Sequence, residues 1–218
     1  MLFSAQRRPP WALVSIDPGS ITAGPADSPV NVTISTGIDL DGLAADGFGL
    51  SAPVTTRETV LQDDPEDPST ASFSTNVDIA HGALLEITTA NSADQSDIDL
   101  YVYGPDGELV ATSLTPTDEE RVEIRFPVDG TYRIDVHGWQ VVDGTDEFDL
   151  TINAVQGIDV TVTGLAPSIV AGGSDIFEIA WSTAGKPAGT YQGVVLLGPT
   201  GAPGLFRIPL EITVPAGP

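Results

Sequence analysis

Apolar and polar residues alternate along this chain with a period of two, in short runs, and no run keeps helical spacing over three turns. Ala12–Ile16 and Val30–Ile34 both alternate this way, as half-buried strands do. The signal is strongest between residues 71 and 154. There Phe73–Ile79, Leu84–Thr89, Ile98–Tyr103, Glu108–Thr112, Arg121–Phe126, Tyr132–His137 and Phe148–Ile152 read as strands. Gly104-Pro105-Asp106-Gly107, Pro127-Val128-Asp129-Gly130 and Val142-Asp143-Gly144-Thr145 are explicit turns between them. Further on, Ile158–Thr163, Ile176–Trp181, Tyr191–Leu197 and Phe206–Val214 are strand candidates, with loops at Gly172-Gly173 and Gly198–Gly204. The pattern predicts an all-β chain of antiparallel sandwiches.

Turn chemistry and charge suggest four parts. Residues 1–60 hold a strand pair whose tail turns Gly- and Asp-rich and loses its period, a β fragment too small to bury a core. Residues 61–70 centre on Gln62–Ser69, with four acidic residues and two prolines in eight positions, the composition of a solvated linker. Residues 71–155 form a self-contained sandwich, and 156–218 a smaller one of four to six strands.

Composition narrows the function. The formal charge is -23 and Lys186 is the sole lysine, so phosphate backbones are repelled and nucleic-acid partners are excluded. Such a surface suits divalent cations and solubility. Cysteine is absent, which rules out disulfides and thiolate metal sites. No apolar run approaches the ~20 residues of a membrane helix. Met1–Pro10 carries two arginines with no apolar core behind them, so it does not read as a signal peptide.

Catalytic patterns are sparse. The only histidines are His81, in a predicted turn, and His137, at a strand end. Gly-Thr-Ser-Met-Ala and Gly-x-Ser-x-Gly nucleophile motifs do not occur. Gly47-Phe48-Gly49-Leu50-Ser51-Ala52 matches a dinucleotide fingerprint in form but has no βαβ context, and reads as a loop. Asn31-Val32-Thr33 is a glycosylation sequon. Asp97 and Asp99 sit two apart on a strand, on one face and ~7 Å apart. They form either a solvated strand entry or a calcium site, with Asp94 or the acids Asp63, Asp64, Glu66 and Asp67 as further ligands. Tyr101 and Tyr103 share a strand face, opposite Ile98, Leu100 and Val102. That face either packs under a neighbour or contacts a protein or polysaccharide surface.

Two motifs carry a resemblance. Asp97–Gly107 reads DIDLYVYGPDG and Gly130–Trp139 reads GTYRIDVHGW. The pair resembles the bacterial pre-peptidase C-terminal (PPC) domain, a β-sandwich appended to secreted peptidases. With the acidic linker before it, the Asp118-Glu119-Glu120 step and an immunoglobulin-like unit after it, residues 60–215 resemble the C-terminal regions of bacterial subtilisin-like serine proteases. Residues 1–50 look like the end of the fibronectin-like layer of those enzymes. The resemblance implies a non-catalytic, extracellular accessory region that stabilises its parent, holds substrate or attaches to a surface. It transfers no catalytic residue and requires no cofactor, calcium being the one candidate. Its partner would be the parent's catalytic domain or a protein or polysaccharide surface. The competing reading is a free-standing adhesion or carbohydrate-binding module; an independent hydrolase is a third.

Overall fold

The computed structural model describes residues 13–92 and 96–217, and the reading of Met1–Pro10 lies outside them. The chain is all-β, with no α-helix among the described residues. It divides into two compact units, and one is inserted in the other: the outer unit takes residues up to Leu50 and again from Ile158, and the central unit is Ser51–Gly157.

The outer unit begins with β1 (Val14–Asp17), β2 (Ile21–Ala23), β3 (Val30–Thr36), β4 (Leu40–Asp41) and β5 (Leu43–Ser51). After the central unit it resumes with β14 (Val160–Thr163), β15 (Ser168–Ile169), β16 (Ser174–Trp181), β17 (Gly189–Pro199) and β18 (Phe206–Val214). One sheet runs β1-β3-β16-β14 and the other β2-β18-β17-β5, with β15-β4 as a short extra pair. Alternation does the sorting. In β3, Val32 and Ile34 point inward with no exposed surface, and across the register Val32 meets Phe177 of β16. Of the 17 buried residues in this core, Ile21, Val32, Ile34, Leu40, Leu43 and Leu50 come from before the insertion and the rest from after it. Each fully buried aliphatic or aromatic side chain is worth about 1.5–3 kcal/mol, so neither segment retains its core contribution without the other.

The central unit holds β6 (Val54–Leu61), β7 (Phe73–Ile79), β8 (Gly82–Ala90), β9 (Asp97–Tyr103), β10 (Leu109–Ser113), β11 (Glu120–Arg125), β12 (Gly130–Gln140) and β13 (Thr145–Gln156). Its sheets run β10-β9-β12-β7 and β11-β8-β13-β6. Ile98, Leu100, Val102, Ile134 and Val136 from the first meet Leu85, Ile87, Phe148, Leu150 and Val60 from the second. Ser51 and Gln156, at its two ends, are hydrogen-bonded in both directions through the Ser51 hydroxyl, at 3.0 and 3.2 Å.

Three sequence expectations need correction. Residues 1–60 are not a separate β fragment: β1 to β5 complete the sandwich expected from 156–218 alone, because β3 supplies the pairing edge that β16 needs. The stretch after Thr36 is not aperiodic loop, since most of it is β5, with Gly47–Leu50 buried on both faces. A Cβ on Gly47 would lie 2.4 Å from the Val160 carbonyl oxygen, so the glycines mark close packing and not a nucleotide loop. The central unit also starts earlier than residue 71. β6 pairs along its whole length with β13, from Thr145 opposite Leu61 to Ile152 opposite Val54.

A fragment 51–157 is therefore expected to give a dispersed amide spectrum. A fragment 65–156 lacks β6 and Val60, which has no exposed surface in the core, and is expected to lose dispersion or melt well below the longer fragment. Equal melting of the two would contradict the assignment of β6 to this sandwich.

Candidate functional site

The outward face of the β10-β9-β12-β7 sheet gathers the polar residues singled out in the sequence. Across the antiparallel register, Asp99 lies opposite His137, Tyr101 opposite Asp135 and Tyr103 opposite Arg133. An outward face would ordinarily be wet, yet Asp99 is 7% exposed, Tyr101 8% and His137 0%. The cover is the acidic segment between β6 and β7. It is no linker, because every one of its anchors is a specific hydrogen bond.

Asp63 Oδ2 accepts from the Ser72 backbone N–H (3.1 Å), the Ser72 hydroxyl (3.1 Å) and the Gly138 N–H (2.8 Å). Gln62 donates from Nε2 to the Gly138 and Trp139 carbonyls and accepts from the Val141 N–H. Asp67 caps a short 3-10 turn at Pro68–Thr70 by accepting from the Ser69 hydroxyl and N–H, and these bonds hold its carboxyl below the usual range. Gly138 has to be glycine here: a Cβ would sit 2.0 Å from the Leu61 carbonyl oxygen.

His137 closes the strap from beneath. Its Nε2 is 3.0 Å from the Asp64 carbonyl oxygen. A carbonyl only accepts, so Nε2 carries the proton and Nδ1 is bare in the neutral ring. Nδ1 has no hydrogen-bond partner and lies 3.9 Å from Asp99 Oδ2. The Tyr101 ring stands edge-on to the imidazole, centroids 6.3 Å apart, and its hydroxyl points to Asp99 Oδ2 at 3.4 Å. This histidine is wholly buried with its proton committed to the backbone, so it is not a base presented to a substrate.

The carboxylates repel one another. Burial first, then Glu120, raises the proton affinity of Asp97. For Asp99 the causes are burial, then Asp97, with His137 opposing. Burial and Asp99 push Tyr101 up to about 12. Glu120, at the start of β11, is a member of this group that the sequence reading did not single out as a site residue. It is 1% exposed, its Oε1 accepts from the Thr115 N–H and hydroxyl, and its Oε2 has no hydrogen-bond partner. An orphaned buried carboxylate oxygen is costly. Among the described residues no three His, Asp or Glu side chains are arranged to hold a metal ion. Asp94, named as a further ligand, lies outside the described residues. Asp63 and Asp67 are engaged in holding the strap.

The tyrosines divide. Tyr101 is buried and is not offered to a partner. Tyr103 is partly exposed, with the Arg133 guanidinium 4.0 Å above its ring. His81 sits in the turn between β7 and β8 in a left-handed conformation, φ 53°.

Comparison with known proteins matches residues 64–138 to the bacterial pre-peptidase C-terminal domain. The match runs from the strap residue Asp64 to Gly138, the two stretches that the His137–Asp64 and Gly138–Asp63 bonds tie together. The chain is 32% identical to pyrolysin of Pyrococcus furiosus over 137 residues, which is 56% of this chain and 9% of that protein. It thus spans less than a tenth of its relative. Among solved structures, tripeptidyl peptidase 2 is similar over 90% of this chain and 19% of its own, at 12% identity and a TM-score of 0.37. A Bacillus licheniformis lipase in propeptide form is similar over 84% and 40%, at 12% identity and a TM-score of 0.28. Both likenesses are too distant to argue from.

The electrostatics have a signed consequence. Asp97 and Asp99 bind protons more tightly folded than unfolded, so their ionised forms cost stability at neutral pH. That cost is relieved as pH falls through their raised values, and relief is complete below the ordinary 3.8. In metal-free buffer Asp99→Asn is expected to raise the melting temperature at pH 7, the gain shrinking toward zero near pH 4. A variant that melts lower than the parent chain at pH 7 would show that the Asp99 charge is needed and not merely tolerated.

Proposed function

We propose that this chain, whose central unit carries a bacterial pre-peptidase C-terminal domain, is a non-catalytic accessory region of a secreted subtilisin-like serine peptidase. The observation that carries the reading is the coincidence of the family match with the strap-and-sheet unit, together with identity to pyrolysin, a subtilisin-like protease. The buried state of His137 supports it. The work of the region is to steady the parent or hold substrate at an extracellular surface, its partner being the catalytic domain. Its outer face offers Tyr103 and the half-exposed Trp139 as contact groups. No helix among the described residues is long and apolar enough to cross a membrane.

The test is deletion from the parent reading frame. Removing the region is expected to leave hydrolysis of a soluble peptide intact while shortening the thermal half-life or weakening retention on insoluble protein. The isolated chain is expected to hydrolyse no casein. Loss of soluble-peptide hydrolysis on deletion, or casein hydrolysis by the pure chain that vanishes on His137→Ala, would overturn the reading. Specific retention on insoluble polysaccharide with no effect on a peptidase would favour the free-standing module.

Calcium belongs to this proposal as the ion that would relieve the repulsion between Asp97 and Asp99. What supports it is their charge and the burial that raises the proton affinity of both. A bound ion stabilises by mass action, about 2.7 kcal/mol at a hundredfold excess over its dissociation constant. Millimolar calcium is expected to raise the melting temperature more than NaCl of equal ionic strength, and Asp97→Asn with Asp99→Asn to remove the difference. Equal shifts in the two salts would leave the proton as the only relief.

A further inference from the structure

An insertion leaves the host sandwich with two chain crossings that can fray. In the outer unit these are the end of β5 and the approach to β14. Gly49 and Ile158 form a parallel bridge there, and the Asp159 N–H donates to the Gly49 carbonyl at 2.8 Å. The Leu50 N–H donates to Asp159 Oδ2 at 3.3 Å. The Leu50 carbonyl is taken by the Lys186 ammonium at 2.8 Å, and the same ammonium lies 2.9 Å from Asp159 Oδ2.

We propose that Lys186 is a clasp that locks the outgoing and returning strands of the outer sandwich together at the point of insertion. Three observations carry this beyond an ordinary surface ion pair. Lys186 is the sole lysine of a chain with formal charge -23, and Arg207 is the one other Lys or Arg among the described residues of the outer unit. Its side chain is only 19% exposed and bonds one group on each crossing strand, a carbonyl on the first and a carboxylate on the second. A charge-assisted bond to each strand resists their separation where a pair within one strand would not.

The third observation is how the amine is delivered. Lys186 sits in the turn from β16 to β17, whose Ser182 N–H donates to the Asp159 carbonyl and whose Lys186 N–H donates to the Thr183 carbonyl. Gly185 supplies the left-handed step, φ 78°, that brings the lysine round. The Tyr191 hydroxyl donates to the Pro187 carbonyl, and its ring lies 5.3 Å from the ammonium. The amine is thus held on three sides by parts of one unit.

The experiment is hydrogen exchange by mass spectrometry on the full chain. Lys186→Met is expected to speed amide exchange several-fold in 43–50 and 158–163 while leaving 84–90 and 130–140 unchanged. Asp159→Asn, which keeps the bond from Lys186 to Leu50, is expected to do the same to a smaller degree. In the unaltered chain, acetic anhydride is expected to label Lys186 several-fold more slowly in native buffer than in urea. Unchanged exchange at the crossings, equal acceleration in both units, or equal labelling rates would overturn the clasp.

Discussion

The antiparallel pairing of β3 with β16 is the constraint on which the rest of the outer unit hangs. It joins Val30–Thr36 to Ser174–Trp181 across the whole inserted unit. Closing a flexible loop of that length costs roughly 4 kcal/mol beyond the constant for closing any loop. The folded central unit removes most of that cost. Its ends, Ser51 and Gln156, are already at hydrogen-bond distance, so once it has folded the outer strands are delivered to one another almost as neighbours.

Within the central unit a second constraint governs the chemistry. The strap over β9 and β12 turns a polar outer face into a partly dry one. Asp63 and Gln62 hold it by bonds to the backbone, which lock position without adding free charge. The cost falls on Asp97 and Asp99, whose carboxylates lose water. The opposite sheet manages charge differently. There Arg121 pairs with Glu86 and Glu123, Arg125 with Glu123, and Arg57 with Glu147 and Asp149. That sheet sets three arginines among four carboxylates, whereas the strapped sheet pairs Arg133 with Asp135 and carries Asp97 and Asp99 besides. That asymmetry singles out the strapped face.

Much of this was legible in the sequence, and the failures have physical reasons. Phe73–Ile79 and Phe206–Val214 are strands with the very limits that their alternation gives. β6 escaped because it is an edge strand with one deeply buried residue, Val60, among exposed Thr and Arg. β5 escaped because glycines needed for close approach look like loop. Periodicity tells which face is buried and is silent on the partner, so nothing in Val32 or Ile34 announced Phe177. The same silence left the tyrosine face with two readings, packed or open, and only the fold separates a buried Tyr101 from a partly exposed Tyr103. The site was half visible: Asp97 and Asp99 were marked by spacing, while Glu120 appeared only within the Asp118-Glu119-Glu120 step until β11 brought it near Asp97.

The inserted architecture is the central claim, and the amide spectrum of the isolated segment 158–218 tests it most directly. That segment holds β14 to β18 but lacks Ile21, Val32, Ile34, Leu40, Leu43 and Leu50 of the shared core. A collapsed spectrum is required if the sandwich is completed from before the insertion. A well-dispersed spectrum would show that 158–218 is a domain in its own right and would contradict the account.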